Sequence, residues 1–181
     1  DDRDYSIVES KYADTLADRV LKNVLRYQTE HYSTYSFLKR GSDERQYNAP
    51  GIDLPVVCYC RSKFGEYPEY HTSADDMSLV SPAGFQGSYE VMTQVVQALE
   101  ANAKYQLKVL GEPQLGKRGL YPTISQKGSY DEVKAMVDFL AYSDGKNDLI
   151  DVSDRIGVAV ADLFSIVRKM DEADLIREVI A

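Results

Sequence analysis

Between Gly111 and Lys127 the hydrophobic periodicity of this chain stops. Gly111, Pro113, Gly116, Gly119 and Pro122 punctuate the stretch, and glycine and proline at that density interrupt helix and strand alike. The two sides follow different rules. Upstream, short β-prone runs alternate with long amphipathic helices, the pattern of an α/β layer. Downstream, the order is helix, short helix, glycine turn, helix and strand, as in a winged helix. The pattern therefore predicts an α/β domain over 1–112, a linker over 113–127 and a small winged-helix-like α+β domain over 128–181. A chain of 181 residues is long enough for two small domains.

Within the first half, residues 5–8 read as a short strand. Residues 15–28 read as a helix, with Leu16, Val20, Leu21, Val24 and Leu25 on one face. Asp14 or Thr15 suits its N-cap. Residues 33–38 are short, aromatic and β-prone. Ala49, Pro50 and Gly51 signal a turn, and residues 52–59 form a nearly continuous apolar run. Such a run predicts a central parallel strand buried on both faces. Pro55 cannot donate to a ladder, which moves the expected start to Val56. Residues 89–103 predict a second helix with Val91, Val95, Val96 and Leu99 inward, followed by an extended segment over 105–110. In the second half, helices are expected over 129–142, 149–156 and 159–171, and a strand over 175–180.

Charge excludes several functions. The formal net charge is −8, the wrong sign for general nucleic-acid or anionic-membrane binding. From Lys127 to Ala181 there are 7 Lys/Arg against 12 Asp/Glu. The third helix of the winged-helix pattern, the would-be recognition helix, carries Asp162, Asp171 and Glu172 against Arg168 and Lys169. Reading DNA phosphates needs the opposite balance, so a protein-docking or packing module is expected there. No apolar stretch approaches the roughly 18 to 20 residues that span a bilayer. The opening residues, Asp1 to Asp4, show neither an initiator Met nor a signal-peptide pattern. They read as the continuation of a longer cytoplasmic chain. Cys58 and Cys60 lie at i and i+2, on one face of a strand. A bridge across so short a span is sterically disfavoured, and two buried reduced thiols are expected.

The polar residues that carry chemistry fall into two clusters on either side of the apolar run. The first runs from Gly41 to Tyr47 and contains Ser42, Asp43, Glu44 and Arg45. The second runs from Tyr67 to Asp76 and contains His71, Thr72, Asp75 and Asp76. His71 is one of two histidines. In a loop after a buried strand it reads either as a metal ligand, with Asp75 and Asp76 supporting it, or as an ordinary surface-loop histidine. Asp43 and Glu44 read either as contacts to a substrate or as members of an internal ion-pair network. Arg40 or Arg45 offers a fork for a substrate carboxylate. His31 reads as an exposed helix-end residue.

Together, the Gly41–Tyr47 cluster, the segment from Pro50 to Pro55 and the Tyr67–Asp76 cluster resemble bacterial aminopeptidase-like proteins associated with polysaccharide biosynthesis. These are similar to zinc-dependent aminopeptidases of the leucyl-aminopeptidase and transferrin-receptor type. The resemblance covers essentially the whole chain, because such proteins also end in a winged-helix domain. It implies the C-terminal part of a zinc-peptidase-like α/β domain, with zinc as cofactor. His71 matches the last zinc ligand of that group. Asp43 matches the Asp of the Ser-Asp loop that shapes the site, and Glu44 stands where active aminopeptidases of the group carry His. On this resemblance Asp43, Glu44 and Arg45 line a substrate pocket, while no catalytic residue is assigned. The implied activity is hydrolysis of a peptide or amide bond in a peptide-like or amide small molecule. The upstream ligands would come from a partner chain, a second copy or a preceding segment that completes the domain. The alternative is a non-catalytic protein-interaction module with a degenerate metal site.

Overall fold

The structure, a computed structural model, describes residues 2–121 and 129–179. The chain divides into two compact units, Asp1–Val96 and Gln97–Ala181.

In the first unit, strand β1 (Ser6–Val8) leads into helix α1 (Leu16–Gln28), which returns the chain to strand β2 (Ser33–Tyr35). Strands β1 and β2 are parallel, with Ser6 opposite Ser33 and Val8 opposite Tyr35. Parallel neighbours need a crossover of this kind. Helix α1 starts where its sequence says it should. The Asp18 carboxylate accepts hydrogen bonds from the Thr15 backbone N–H (3.0 Å) and the Thr15 hydroxyl (2.6 Å). It also accepts from the Ser10 backbone N–H and hydroxyl (2.9 and 2.5 Å). Asp18 is fully buried, and these four donors are what make its burial tolerable. Val20, Leu21, Val24 and Leu25 are buried with Ile7 and Val8, whereas Leu16 is exposed. Each buried apolar side chain of this size contributes about 1.5–3 kcal/mol before entropy is subtracted.

After β2 come a 3-10 turn (Phe37–Lys39) and a single-turn helix, α2 (Glu44–Tyr47). The expected central parallel strand over 52–59 is not formed. Strand β3 is confined to Cys58–Cys60 and pairs antiparallel with β1, at the edge of the order β2-β1-β3. Local chemistry explains the difference. The turn at Pro50 and Gly51 folds back, with Ile52 and Asp53 N–H both donating to Ala49 O. Asp53 has a positive φ of 49°, and Pro55 has no N–H to give a ladder. Ile52 and Leu54 are consequently exposed. The two cysteines are free but only half-buried, because β3 is an edge strand.

Helix α3 (Pro82–Ala101) begins seven residues before the expected position 89. Pro82 suits the first helical position, and the Ser81 hydroxyl accepts from the Gly84 N–H at 3.0 Å. Val91 and Ala98 are buried on it, whereas Val96 and Leu99, expected inward, are exposed.

The second unit contains strand β4 (Lys104–Leu107), helix α4 (Ser129–Tyr142), strand β5 (Asp144–Asp148), helices α5 (Leu149–Ile156) and α6 (Val160–Glu172), and strand β6 (Ile176–Val179). Its sheet is antiparallel in the order β5-β4-β6. Gly157 joins α5 to α6 in the left-handed conformation at φ 69°, and its N–H closes on Ser153 O at 3.0 Å. Met136, Phe139, Leu149, Ile150, Leu163, Ile166, Met170 and Ile176 form the core. β4 is the central strand of this sheet, so the unit begins well before the expected domain start at 128. Of the expected linker, Leu115–Arg118 is a 3-10 turn with Leu115 buried, and residues 122–127 lie outside the described residues. Strand β5 was not expected from the sequence: Asp144 to Asp148 carries no apolar alternation. Among the described residues no helix is long and apolar enough to cross a membrane.

Candidate functional site

Both polar clusters lie in the first unit, on the loops before and after β3. The first loop is held from inside. Glu44 is 2% exposed, and its Oε1 accepts from the N–H groups of Gly41 (2.8 Å) and Ser42 (3.2 Å). Its carboxylate therefore shapes its own loop and points away from solvent. Asn48, equally buried, donates from Nδ2 to Glu44 O and Val56 O, both at 2.8 Å. Its Oδ1 accepts from the Lys11 N–H at 3.2 Å. Asp43 and Arg45 flank Glu44 and both side chains are exposed.

The second loop is anchored at its root by Arg61. The guanidinium donates to Asp2 O (2.8 Å), Asp4 O (2.8 Å) and Gly84 O (3.0 Å), and lies 3.9 Å from the Tyr5 ring centroid. Lys63 is 5% exposed. Its ammonium donates to Phe64 O at 2.7 Å and sits over the Phe64 and Tyr35 rings, at 4.1 and 5.4 Å. A series of rings follows. Phe64 lies 6.2 Å from Tyr70, Tyr67 meets Tyr70 edge-on at 5.7 Å, and Tyr70 stacks on His71 at 3.9 Å and 17°. Arg3 pairs with Glu69 at 2.8 Å and lies 5.9 Å from the Tyr67 ring centroid.

His71 ends this stack, exposed, with a positive φ of 60°. A non-glycine residue in that region is uncommon and carries backbone strain, a feature that clusters at functional sites. Of the carboxylates that follow, that of Asp76 has other work. Asp76 accepts from the Ser78 N–H at 2.8 Å and caps the 3-10 turn Met77–Leu79; the Ser78 side chain first, and then this backbone bond, hold its carboxyl below the usual range. The Asp75 N–H closes a turn on Thr72 O.

Phe64 joins the two loops. A Cβ placed on Gly41 would lie 2.6 Å from Phe64 Cε2, so the first cluster begins in direct contact with the ring series that ends at His71. Sequence reasoning missed this platform, although Phe64, Tyr67 and Tyr70 stand at a regular spacing of three. It also placed His71 at the carboxyl end of a buried parallel strand, whereas β3 is an antiparallel edge. His31 is exposed beyond the end of α1.

A zinc site needs several N, S or O ligands. Among the described residues, no three His, Cys, Asp or Glu side chains come together to hold a metal ion. The residues present therefore do not by themselves fit a closed zinc centre. His71 is the ligand-type side chain at the exposed end of the ring series.

Comparison with known proteins places this geometry in a family. A profile described as a domain of unknown function, DUF4910, matches residues 1–102, and a winged helix-turn-helix profile matches residues 103–178. That division puts β4 in the second domain, as the structure does. A protein of Clostridium acetobutylicum named "Putative polysaccharide biosynthesis protein with aminopeptidase-like domain" is 40% identical over 152 residues, 82% of this chain and 35% of that protein. A crystal structure of a "putative peptidase" from the same organism superposes with a TM-score of 0.85 at 33% identity. It covers 97% of this chain and 39% of that one. The chain thus spans little more than a third of the length of the relatives it matches. With a mixed α/β first unit and a winged-helix second unit, the chain belongs to the DUF4910 family, aminopeptidase-like and ending in a winged helix-turn-helix.

Proposed function

We propose that this chain is the C-terminal portion of a zinc-dependent aminopeptidase-like hydrolase that acts on a peptide or amide bond. The setting is cytoplasmic and tied to surface-polysaccharide biosynthesis. In this reading His71 contributes one zinc ligand and Asp43 shapes the site. Arg45 binds a substrate carboxylate, and Glu44 positions the loop that carries both Asp43 and Arg45. The observation that carries the reading is the continuous packing from Gly41 through Phe64 and Tyr70 to His71, which brings the two clusters to one place. The names of the relatives support the class of chemistry. The remaining ligands come from the part of the domain outside this chain, supplied by a preceding segment, a partner chain or a second copy. The winged-helix unit serves protein packing, not nucleic-acid binding, in keeping with its acidic balance.

Metal analysis tests the ligand count. The chain as it stands is expected to hold well under one equivalent of zinc after dialysis. A full, tightly held equivalent would overturn the proposal, since one imidazole cannot provide it. In the longer protein, His71→Ala is expected to lose both zinc and hydrolysis. Unchanged metal content in that variant would favour the second reading, a non-catalytic interaction module, a reading also in keeping with the inward-turned Glu44.

A further inference from the structure

Cys58 and Cys60 are the free thiols of the chain, and the activity proposed above does not use them. Both lie on the edge strand β3, half-buried, with Sγ atoms 3.6 Å apart. The ladder to β1 sets Cys58 opposite Val8 and Cys60 opposite Ser6, so both thiols leave the sheet on one face. The Ser6 hydroxyl fixes the strand, donating to Arg61 O at 2.5 Å and Cys60 O at 3.3 Å.

This geometry opposes a disulfide. Two extended residues advance the backbone by about 6.7 Å, at the far limit of the Cα separations that a disulfide spans. Closing the bridge would require β3 to leave its ladder. The same geometry suits a chelate. Two sulfurs bound to one three-coordinate, pyramidal thiophilic centre at about 2.3 Å, with an angle of about 100°, stand roughly 3.5 Å apart, close to the 3.6 Å already present. The pair is also prepared electrically. The Cys58 thiol hydrogen-bonds to Cys60 and holds the Cys60 thiol below its usual range, with help from the Phe64 backbone N–H and the Lys63 charge. Cys58 is correspondingly pushed up. One sulfur is thus biased toward the thiolate, the form that attacks and binds soft centres.

The number of ligands selects the guest. Among the described residues no third His, Cys, Asp or Glu joins the pair. A four-coordinate metal ion would therefore be left half-bound. A three-coordinate centre that brings its own third substituent would be complete.

We infer that Cys58 and Cys60 form a dithiol site for a trivalent, thiophilic metalloid centre of the arsenic(III) type, held by two sulfurs. With an aryl arsenoxide, two As–S bonds form as the arsenic–oxygen bond breaks. Both thiol protons leave in one molecule of water, and no oxidation state changes. The site does not depend on His71 or on zinc.

The test uses phenylarsine oxide with the folded, reduced chain. One equivalent is expected to remove both thiols from reaction with a thiol-titrating disulfide reagent. An excess of a small dithiol is expected to restore them, and an equal excess of a monothiol is not. Cys58→Ser and Cys60→Ser should each weaken binding by about 100-fold or more, the loss that follows when a two-point attachment becomes one-point. Retention of affinity within a few-fold in either serine variant would overturn the inference. So would two independent equivalents bound, or thiols still titratable after one equivalent in the unaltered chain. This last measurement needs no substitution and stands even if a variant fails to fold.

Discussion

Asn48 is 2% exposed and commits its whole amide to backbone groups: Glu44 O, Val56 O and the Lys11 N–H. It therefore ties the Gly41–Tyr47 loop both to the lead-in of β3 and to the turn after β1. Asn48→Ala leaves those groups without that partner, and an unsatisfied buried group costs about 1–3 kcal/mol. The expected loss is about 2–4 kcal/mol, read as a lower urea midpoint at unchanged slope. A loss under about 0.5 kcal/mol would mean that water replaces the amide. Gly41 matters for a different reason. Its φ is not positive, but an added methyl would meet Phe64 Cε2 at 2.6 Å. Gly41→Ala is expected to cost about 1–3 kcal/mol through overpacking. It should also shift the His71 ring resonances, because Phe64 is linked to His71 through Tyr70. Unperturbed His71 resonances in a folded Gly41→Ala variant would break the proposed link between the two loops.

At the scale of elements, β5 shows where pattern reading ends. Asp144 accepts from the Lys146 N–H (2.9 Å), the Asn147 N–H (3.3 Å) and Asn147 Nδ2 (3.1 Å). The Lys146 backbone bond above all holds its carboxyl below the usual range. A carboxyl lowered in the folded state adds stability above its unfolded value near pH 4 and loses it as pH falls through the folded value. Asp144 is exposed, so the effect is modest. Thermal midpoints should favour the natural chain over Asp144→Asn at pH 7, and the gap should narrow toward pH 3. A constant gap would remove the carboxylate charge from the account. The segment was unreadable as a strand because its stability comes from turn hydrogen bonds and from pairing with β4, not from apolar alternation. Helices α1, α5 and α6 were legible because one face of each is apolar at helical spacing, with Thr15 marking the start of α1 and Gly157 the end of α5. Residues 52–59 misled for the converse reason. An apolar run suggests burial, but the turn at Pro50 and Pro55 decided the backbone first. In the site, residue types announced His71 and the Ser42–Asp43 loop, whereas the inward turn of Glu44 and the ring series through Phe64 depend on tertiary contacts that no local spacing encodes.

For the whole molecule, the informative quantity is where one cooperative unit gives way to the next. The loss of periodicity after Gly111 suggested a boundary at residue 112, yet sheet pairing overrides it. β4 hydrogen-bonds to both β5 and β6, with Lys104 opposite Asp148 on one side and Val179 on the other. The Leu149 N–H reaches Ala103 O at 3.0 Å, and the Ile150 N–H reaches Asn102 Oδ1 at 3.1 Å. Strand β4 and the residues just before it thus complete the winged-helix unit. A fragment of residues 97–181 retains all three strands and the core around Phe139, Leu163 and Met170, and is expected to fold alone, with dispersed amide resonances and a cooperative thermal transition. A fragment of residues 113–181 lacks the central strand. Its β5 and β6 then have no shared neighbour, and the apolar faces of α4 and α6 lose the sheet that covers them. This shorter fragment is expected to show helix signal without a cooperative transition, the behaviour of a collapsed chain without fixed packing. If it melts as sharply as the longer one, the core of the second unit does not need β4, and the boundary read from the sequence at residue 112 is the functional one after all.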